Sequence, residues 1–284
     1  MYAWRALPPA GDASRGGPAE PGAYLTMPAL NGAGIRAAFT TRHGGFSAAP
    51  FASLNLSFLA GDDPDLVRAN RARVLGTLGA NAESWTSAMQ VHDADVARVG
   101  PAELGSGATE PDTVIPGTDA LWTDRPGAAL AVLTADCAPI LLADPSRRRI
   151  GVVHAGWRGM VAGVIGNAVA AVEAAPTTVA FIGPSIGPCC YEVGEEVASA
   201  ARETLGPEVV RERPGTRPHL DLWRGAALAL RAAGVHDVRP SALCTRCEPH
   251  RFYSHRAGDD ARQGLVAVLV DGMEDGRANG RRRD

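Results

Sequence analysis

Lysine is absent from the 284-residue chain, so every basic side chain other than histidine is arginine. Without lysine, neither Schiff-base catalysis nor the phosphate-binding lysine of a P-loop is available to this protein. The chain is instead rich in alanine, glycine and proline. We attribute that bias to the base composition of the gene rather than to function.

An excess of positive charge is also lacking, because the formal net charge is -3. Proteins dedicated to nucleic acids use a basic field to attract phosphates. We therefore expect no nucleic-acid partner. The contents of hydrophobic residues, 45%, and of charged residues, 21%, are those of an ordinary globular protein.

Hydrophobic runs long enough to span a bilayer do not occur, and the N-terminus lacks the apolar core of a signal peptide. These absences predict a cytoplasmic protein with no membrane partner. Five cysteines are too few for a disulfide framework in a chain of this length. In a reducing compartment we expect them to be free or metal-bound.

The composition along the chain predicts three regions. Residues 1–22 are rich in proline, glycine and alanine and are predicted to form a disordered leader. Residues 23–272 are predicted to form a single catalytic domain, and 273–284 a disordered tail. Strand-like and helix-like segments alternate in the domain without a regular βαβ period, which favours an α+β fold with mixed β-sheets.

Local patterns predict the main elements. Asp63 is a plausible N-cap for a helix that begins at Pro64 and ends near Gly79. Further helices are predicted after Gly159 and over 195–205 and 222–233. Buried strands are predicted at segments rich in β-branched and other apolar residues, namely 35–41, 85–91, 96–99, 179–182, 238–240 and 265–270.

The central stretch, residues 131–159, carries Cys137 after one short apolar run and His154 after the next. Each run is predicted to be a buried strand, so the thiol and the imidazole lie at the ends of neighbouring strands and can converge. Cysteine and histidine together make either a nucleophile with its base or part of a soft-metal site. The residues alone leave both open. Asp136 lies beside the thiol, and Trp157 and Arg158 follow the histidine.

A glycine turn follows Arg42, where backbone amides and a guanidinium could together hold an anion. The alternative is a hairpin turn with a surface arginine. The other cysteines are a vicinal pair, Cys189 and Cys190, and a C-x-x-C formed by Cys244 and Cys247. A zinc ribbon needs a second C-x-x-C, which the chain lacks, so we do not predict structural zinc there.

Ten segments in order make the chain resemble one family, the YfiH or laccase-domain family, whose members are named polyphenol oxidases or zinc-dependent purine nucleoside phosphorylases. The segments are TTRHGGFS (40–47), SLNLS (53–57), GDDPDLVRANR (61–71), QVH (90–92), TDA (118–120), LTADCAPILLAD (133–144), VVHAGWRG (152–159), IGPSIGPCCYEV (182–193), CTRC (244–247) and FYSHR (252–256).

This resemblance implies an α/β/β/α layered arrangement of mixed sheets. It also implies that His92, Cys137 and His154 bind one metal ion and form the catalytic centre. Three protein ligands leave a fourth position open, as in catalytic zinc sites. The chain departs from the family pattern in FYSHR and just after it: His255 stands where an aromatic residue is usual, and residues 258–262 lack the family's Thr-Gly-Arg.

The leading hypothesis is therefore a zinc-dependent purine nucleoside phosphorylase acting on adenosine, inosine, guanosine and methylthioadenosine, with adenosine deaminase activity. Its partners would be a purine nucleoside and orthophosphate, and we expect a monomer or homodimer. Asp136, Asp93 and a histidine are candidate proton carriers. The predicted substrate- and phosphate-binding residues are Arg42, Asn55, Asp136, Arg158 and Cys189.

The sequence leaves three other functional hypotheses open. Two histidines and one cysteine also suit Cu²⁺ in a laccase-like polyphenol oxidase. A conventional multicopper centre, however, uses H-x-H pairs, and none occurs among the seven histidines. A metal-free hydrolase would use Cys137 as nucleophile and His154 as base. A non-enzymatic binding module would keep only a vestigial pocket.

Overall fold

A computed structural model describes residues 1–7, 22–212 and 214–270. Two six-stranded mixed β-sheets pack face to face, and helices cover the outer face of each sheet. The arrangement is a single α+β domain with α/β/β/α layers, which confirms the predicted fold class.

The first sheet has the strand order β1-β2-β3-β14-β7-β4, and only the β7–β4 pair is parallel. Its strands are β1 (Ala3–Ala6), β2 (Ala23–Thr26), β3 (Ile35–Thr40), β4 (Trp85–Ser87), β7 (Ala129–Thr134) and β14 (Gln263–Leu269).

The second sheet has the order β13-β10-β8-β9-β6-β5, with parallel pairs at its two edges. Its strands are β5 (Val96–Arg98), β6 (Ala120–Thr123), β8 (Ala138–Asp144), β9 (Arg149–Ala155), β10 (Val179–Ile182) and β13 (Asp237–Pro240). A two-residue ladder joins β11 (Val210–Arg211) to β12 (His219–Leu220).

The central strands are apolar on both faces because both faces are covered. In β7, Leu130 and Val132 pack between the sheets, whereas Ala129 and Ala131 face the outer helix. In β8 and β9 the same alternation sends one set of residues between the sheets and the other against the helices of the second sheet. This two-sided burial is why those segments read as continuous apolar runs.

Five α-helices occur in the described residues. The outer face of the first sheet is covered by α1 (Pro64–Thr77), whose N-cap Asp63 accepts a hydrogen bond from the backbone of Asp65, as the sequence predicted. The second sheet carries α2 (Trp157–Ala162), α3 (Val164–Ala171), α4 (Glu195–Leu205) and α5 (Leu222–Ala232). None of these helices is long and apolar enough to cross a membrane.

Three structural expectations need correction. The helix predicted after Gly159 is two helices, because Gly163 adopts a left-handed conformation, with φ 97°, between them. The strand predicted over 85–91 ends at Ser87, since the chain leaves the first sheet there. Within the predicted disordered leader, Ala3–Ala6 forms β1 against β2.

An aromatic side chain adds to the β1–β2 pairing in holding the first residues to the body of the domain. The Tyr2 hydroxyl lies 2.7 and 2.8 Å from the carbonyl oxygens of Ile182 and Arg239, which share its single hydrogen as acceptors. Its ring packs against Phe39 and Phe181. The rest of the predicted leader, 8–21, and the predicted tail lie outside the described residues.

Candidate metal centre

Two of the three predicted metal ligands lie where the chain crosses from one sheet to the other, and the third lies at the end of a strand of the second sheet. Cys137 ends the short link between β7 of the first sheet and β8 of the second. His92 lies on the loop that carries the chain from β4 to β5, which is also a crossing between sheets. His154 is the second-last residue of β9 and pairs with Pro139 of β8.

These side chains converge. One ligand atom from each of His92, Cys137 and His154 lies within 4.8 Å of the other two. The two imidazole rings are 4.8 Å apart between centroids and inclined by 65°. His154 is buried, Cys137 is partly buried and His92 is exposed, so the cluster opens to solvent on the His92 side. The expected convergence of a thiol and an imidazole is confirmed.

Asp119 orients two of the three ligands. His154 Nδ1 lies 2.7 Å from its Oδ1, which leaves Nε2 available as a ligand atom on the side of Cys137. The same carboxylate accepts backbone hydrogen bonds from Val91, His92 and Asp93 at 2.9 to 3.0 Å. Although burial opposes ionisation, these hydrogen bonds lower the pKa of Asp119. A fixed anion therefore sets both the ring of His154 and the loop of His92.

Gln90 fastens the same loop to the first sheet. Its side-chain amide donates to the Leu133 carbonyl and accepts from the Leu133 amide, both at 2.8 Å. Two residues later His92 has a φ of 63°, a left-handed conformation that is uncommon for a residue other than glycine. Such backbone strain persists where the surroundings hold it, and here Gln90 and Asp119 do so.

The cluster shifts the pKa values of Cys137 and His154 in opposite directions. Burial alone would raise the pKa of Cys137, but the neighbouring His154 and His92 outweigh it and lower the pKa to about 6. Burial disfavours the charged form of His154, yet the Cys137 thiolate and Asp119 raise its pKa to about 9. A thiolate beside imidazole nitrogens is a donor set suited to a soft or borderline divalent metal.

Space for the metal depends on Gly156. A Cβ built there would lie 2.9 Å from His92 Nδ1 and 3.0 Å from Cys137 Sγ, inside the range that real Cβ atoms avoid. The glycine therefore lets the backbone approach two ligand atoms closely. The contact between Asp119 and His154 Nδ1 also leaves His154 Nε2 available as a ligand atom. The room beside Gly156 and this free nitrogen together make the three side chains fit a divalent metal ion.

Two clefts meet at the cluster and share His92, Ala135, Cys137 and His255. The larger cleft, about 350 Å³, has a floor formed by the start of the β7–β8 link and the Gln90 loop. Its other lining residues are Ser57, Leu59, Ala88, Met89, Gln90, Leu133, Thr134, Ala135, His154, Asp260 and Arg262.

The smaller cleft, about 260 Å³, lies on the side of α2. It combines aromatic rings with cations: Arg158 stacks on Trp157 at 4.4 Å, and Arg256 on Tyr191 at 5.1 Å. Its other lining residues are Ala135, Asp136, Gly156, Ile186 and Leu222.

Three of the five predicted substrate-binding residues line neither cleft, and Arg42 and Asn55 are two of them. The Arg42 guanidinium lies 3.4 Å from the Asp259 carboxylate, donates to the Pro249 carbonyl and stacks on Tyr253. Asn55 is fully buried, and its side-chain oxygen accepts backbone hydrogen bonds from Ser57 and Arg262. Both side chains are thus occupied by protein partners, and their binding roles stay predictions.

The other three residues that were predicted to bind substrate or phosphate lie in different parts of the molecule. Arg158 is exposed at the smaller cleft and forms no ion pair within the described part of the chain. Asp136 borders the same cleft, but its two oxygens accept hydrogen bonds from the Thr245 hydroxyl and the Arg256 amide, at 2.6 and 2.7 Å. Cys189 lies away from both clefts, in a group of four cysteines.

The sequence did not reveal the supporting roles of Asp119 and Gln90. Asp119 lies in the TDA segment and Gln90 in the QVH segment, and both segments match the family pattern. The segment 252–262 departs from the family pattern. That segment contributes His255, Asp260 and Arg262 to the larger cleft. The departure therefore falls on the wall of the site.

Comparison with known proteins shows the family. The sequence model of the family described as multi-copper polyphenol oxidoreductase laccase matches residues 36–271. Purine nucleoside phosphorylase YlmD of Geobacillus stearothermophilus is 42% identical over 253 residues, covering 86% of this chain and 92% of the relative. Purine nucleoside phosphorylase ORF3 of Streptomyces griseus is 43% identical over 237 residues, covering 82% of this chain and 92% of the relative.

Solved structures give the same relationship. The crystal structure of YlmD from Geobacillus stearothermophilus superposes with a TM-score of 0.82 at 39% identity, over 87% of this chain and 96% of that one. A Bacillus licheniformis protein titled hypothetical protein YfiH also gives 0.82, at 32% identity and with the same coverage of both chains.

Proposed function

The chain belongs to the family described as multi-copper polyphenol oxidoreductase laccase, and on that premise we propose that it is a zinc-dependent purine nucleoside phosphorylase. The observation that carries the proposal is the convergence of His92, Cys137 and His154 at the junction of two clefts. Relatives that are about 40% identical over most of both chains are named purine nucleoside phosphorylases, which supports the reaction class.

The metal would be held by the sulfur of Cys137, by His154 through Nε2 and by His92. When bound, Zn²⁺ supplies Lewis acidity and lowers the pKa of a bound water from 15.7 to about 7. Three protein ligands leave one position for a non-protein ligand, as in catalytic zinc sites. Asp119 keeps His154 in the tautomer that presents Nε2.

We assign orthophosphate to the smaller cleft. Phosphorolysis needs a cationic site that holds the phosphate close to the sugar. Arg158 and Arg256 are two guanidinium groups on the wall of this cleft, and guanidinium is well matched to phosphate. One nitrogen of Arg256 donates to the Glu192 carbonyl, so Arg158 is the main candidate. In the larger cleft the single lining arginine, Arg262, already donates to the carbonyls of three neighbouring residues.

We assign the nucleoside to the larger cleft. Leu59, Met89 and Leu133 give it apolar wall on which a purine can lie, and its volume of about 350 Å³ falls in the range of small-ligand pockets. Because both clefts share His92 and Cys137, the ribose C1′ would sit next to the metal centre with phosphate on its other side.

In the reaction, a phosphate oxygen forms a bond to C1′ as the bond from C1′ to the purine nitrogen breaks. The electron pair of that bond leaves with the base, which must then take up a proton. His255 lines both clefts and is our candidate donor. Asp136, a donor candidate from the sequence, accepts hydrogen bonds on both oxygens and is less suited.

The test is to incubate zinc-loaded protein with adenosine, inosine, guanosine or methylthioadenosine, with and without orthophosphate. Phosphate-dependent release of free base together with the sugar 1-phosphate is the expected result. His92→Ala should abolish it, whereas the matched control His236→Ala, an exposed histidine outside both clefts, should not. Absence of base release from every nucleoside by fully zinc-loaded protein would reject the proposal.

The same assay separates the other reactions considered. Inosine formed from adenosine without phosphate identifies a deaminase, in which water attacks C6 and ammonia leaves. Oxidation of a phenol by copper-loaded protein identifies a laccase-like enzyme. Among the described residues, however, two groups of at least three metal-ligating side chains occur, and one contains no histidine. A trinuclear copper cluster needs many histidines, so this observation disfavours that chemistry.

A further inference from the structure

A second cluster of metal-type ligands lies outside both clefts. The sulfurs of Cys189, Cys190, Cys244 and Cys247 all lie within 4.8 Å of one another. Cys247 Sγ is 3.4 Å from both Cys189 Sγ and Cys190 Sγ. All four are free thiols, so no disulfide accounts for the proximity.

We propose that these four cysteines bind a second zinc ion, as a closed structural site. Zinc bonds to thiolate sulfur at about 2.3 Å, so the sulfurs of a tetrahedral site lie about 3.8 Å apart. The observed separations, from 3.4 Å up to a limit of 4.8 Å, bracket that value. A disulfide would join two of the sulfurs and leave the other two without a role.

The fold explains why two distant pairs meet. Strands β10 and β13 are parallel neighbours at the edge of the second sheet, so the segments that follow them leave from the same end. The pairing continues beyond the strands, because Ser185 bridges to Cys244. Ser185 donates its amide to Leu243 and accepts from the Thr245 amide, at 3.2 and 3.1 Å.

The backbone around the cluster is arranged for thiolate. The Gly187 amide donates to Cys244 Sγ at 3.2 Å, an interaction that favours negative charge on the sulfur. A Cβ at Gly187 would lie 2.5 Å from the Trp223 ring, so the close turn that aims this amide requires glycine. The turn closes on itself, since the Cys190 amide donates to the Gly187 carbonyl at 2.9 Å.

This site would fix one wall of the smaller cleft. The loop after β10 carries Ile186, whose amide donates to the Asp136 carbonyl at 2.9 Å. The loop after β13 carries Thr245, whose hydroxyl donates to the Asp136 carboxylate. A metal that joins the two loops therefore holds both of them against the segment that presents Cys137. The inference does not depend on which reaction the first centre catalyses.

The deciding measurement is the zinc content of protein purified without chelators. We expect two zinc ions per chain in the wild type and one in Cys247→Ser. The matched control Cys137→Ser removes a cysteine from the other centre and should also retain one, and the double variant should retain none. A wild type with one zinc that is lost in Cys137→Ser and unaffected by Cys247→Ser would overturn the proposal.

A second measurement needs no variant that might misfold. X-ray absorption at the zinc edge counts sulfur neighbours, and two occupied sites give an average of about two or three sulfurs per zinc. The first centre alone gives about one. An average of one sulfur, or zinc-free protein whose mass is lower by two hydrogens, as a Cys–Cys disulfide requires, would each reject the second site.

Discussion

The carboxylate of Asp119 and the imidazole of His154 form a buried contact, 2.7 Å from Oδ1 to Nδ1, across 35 residues of sequence. The same carboxylate accepts hydrogen bonds from three successive backbone amides of the loop that carries His92. One anion therefore holds two of the three metal ligands in register. The third, Cys137, is held independently by the β7–β8 link.

Replacing Asp119 by asparagine should weaken zinc binding at the first centre about 10- to 100-fold, the usual cost of losing such a partner. The amide keeps the shape of the side chain but loses the charge. Its NH₂ group cannot accept the backbone hydrogen bonds that the carboxylate oxygen accepted. Competition with a chromophoric chelator measures the affinity. Asp124→Asn, an exposed carboxylate paired with Arg98, is the matched control and should leave the affinity unchanged. Equal affinity of both variants would contradict the assigned role.

Replacing Gly156 by alanine should lower zinc occupancy of the first centre, because the new Cβ would stand 2.9 Å from His92 Nδ1 and 3.0 Å from Cys137 Sγ. Gly166, inside α3, has no atom within 4 Å of an added Cβ. Gly166→Ala should therefore keep its zinc and gain about 0.5–1 kcal/mol of folding stability from higher helix propensity. Zinc analysis and thermal unfolding of the pair check both outcomes. Full zinc occupancy in Gly156→Ala would show that the ligands have more room than the structure gives them.

The sequence predicted the convergence of Cys137 with His154 and the layered fold, but not what supports them. Cys137 and His154 lie next to apolar runs, and such runs reveal strand ends, so their convergence could be inferred locally. The role of Asp119 could not, because an acidic residue before a strand carries no mark of the histidine that it will meet. Arg42 shows the converse. Its glycine turn resembles an anion site, but Asp259, 217 residues away in sequence, already lies against the guanidinium.

The four-cysteine group was missed for a related reason. Spacing rules search for two C-x-x-C pairs, and the vicinal Cys189 and Cys190 do not match that pattern. Their meeting with Cys244 and Cys247 is set by the parallel register of β10 and β13, which the sequence does not show. Local sequence patterns thus predict helices, strands and the residues at their ends. Which polar side chains meet one another in space depends on the order of the strands in the sheets.

In metal-stripped protein, Cys137 should be an unusually acidic nucleophile. With its pKa lowered to about 6 by His154 and His92, its alkylation rate should reach half of its maximum near pH 6 and level off at higher pH. An ordinary thiol titrates at a pKa near 8.5. Rates of iodoacetamide labelling, localised by mass spectrometry, test this. Rebinding of zinc should suppress the labelling, and His154→Ala should move the midpoint to higher pH because burial then dominates. A midpoint near pH 8.5 in the stripped wild type would contradict the electrostatic account.

Arg158 and Arg42 give opposite expectations for phosphate, and the pair decides which guanidinium binds it. Arg158→Ala should raise the KM for phosphate about tenfold or more, since a charge-assisted hydrogen bond contributes about 1.5–3 kcal/mol. The KM for the nucleoside should change less, because Arg158 lines the smaller cleft only. Arg42→Ala should leave both KM values unchanged and lower the stability by about 1–2 kcal/mol, because its guanidinium is engaged with Asp259, Pro249 and Tyr253. Initial rates at varied phosphate and unfolding curves measure the two effects. A rise in the KM for phosphate in Arg42→Ala but not in Arg158→Ala would return the anion site to the glycine turn that the sequence suggested.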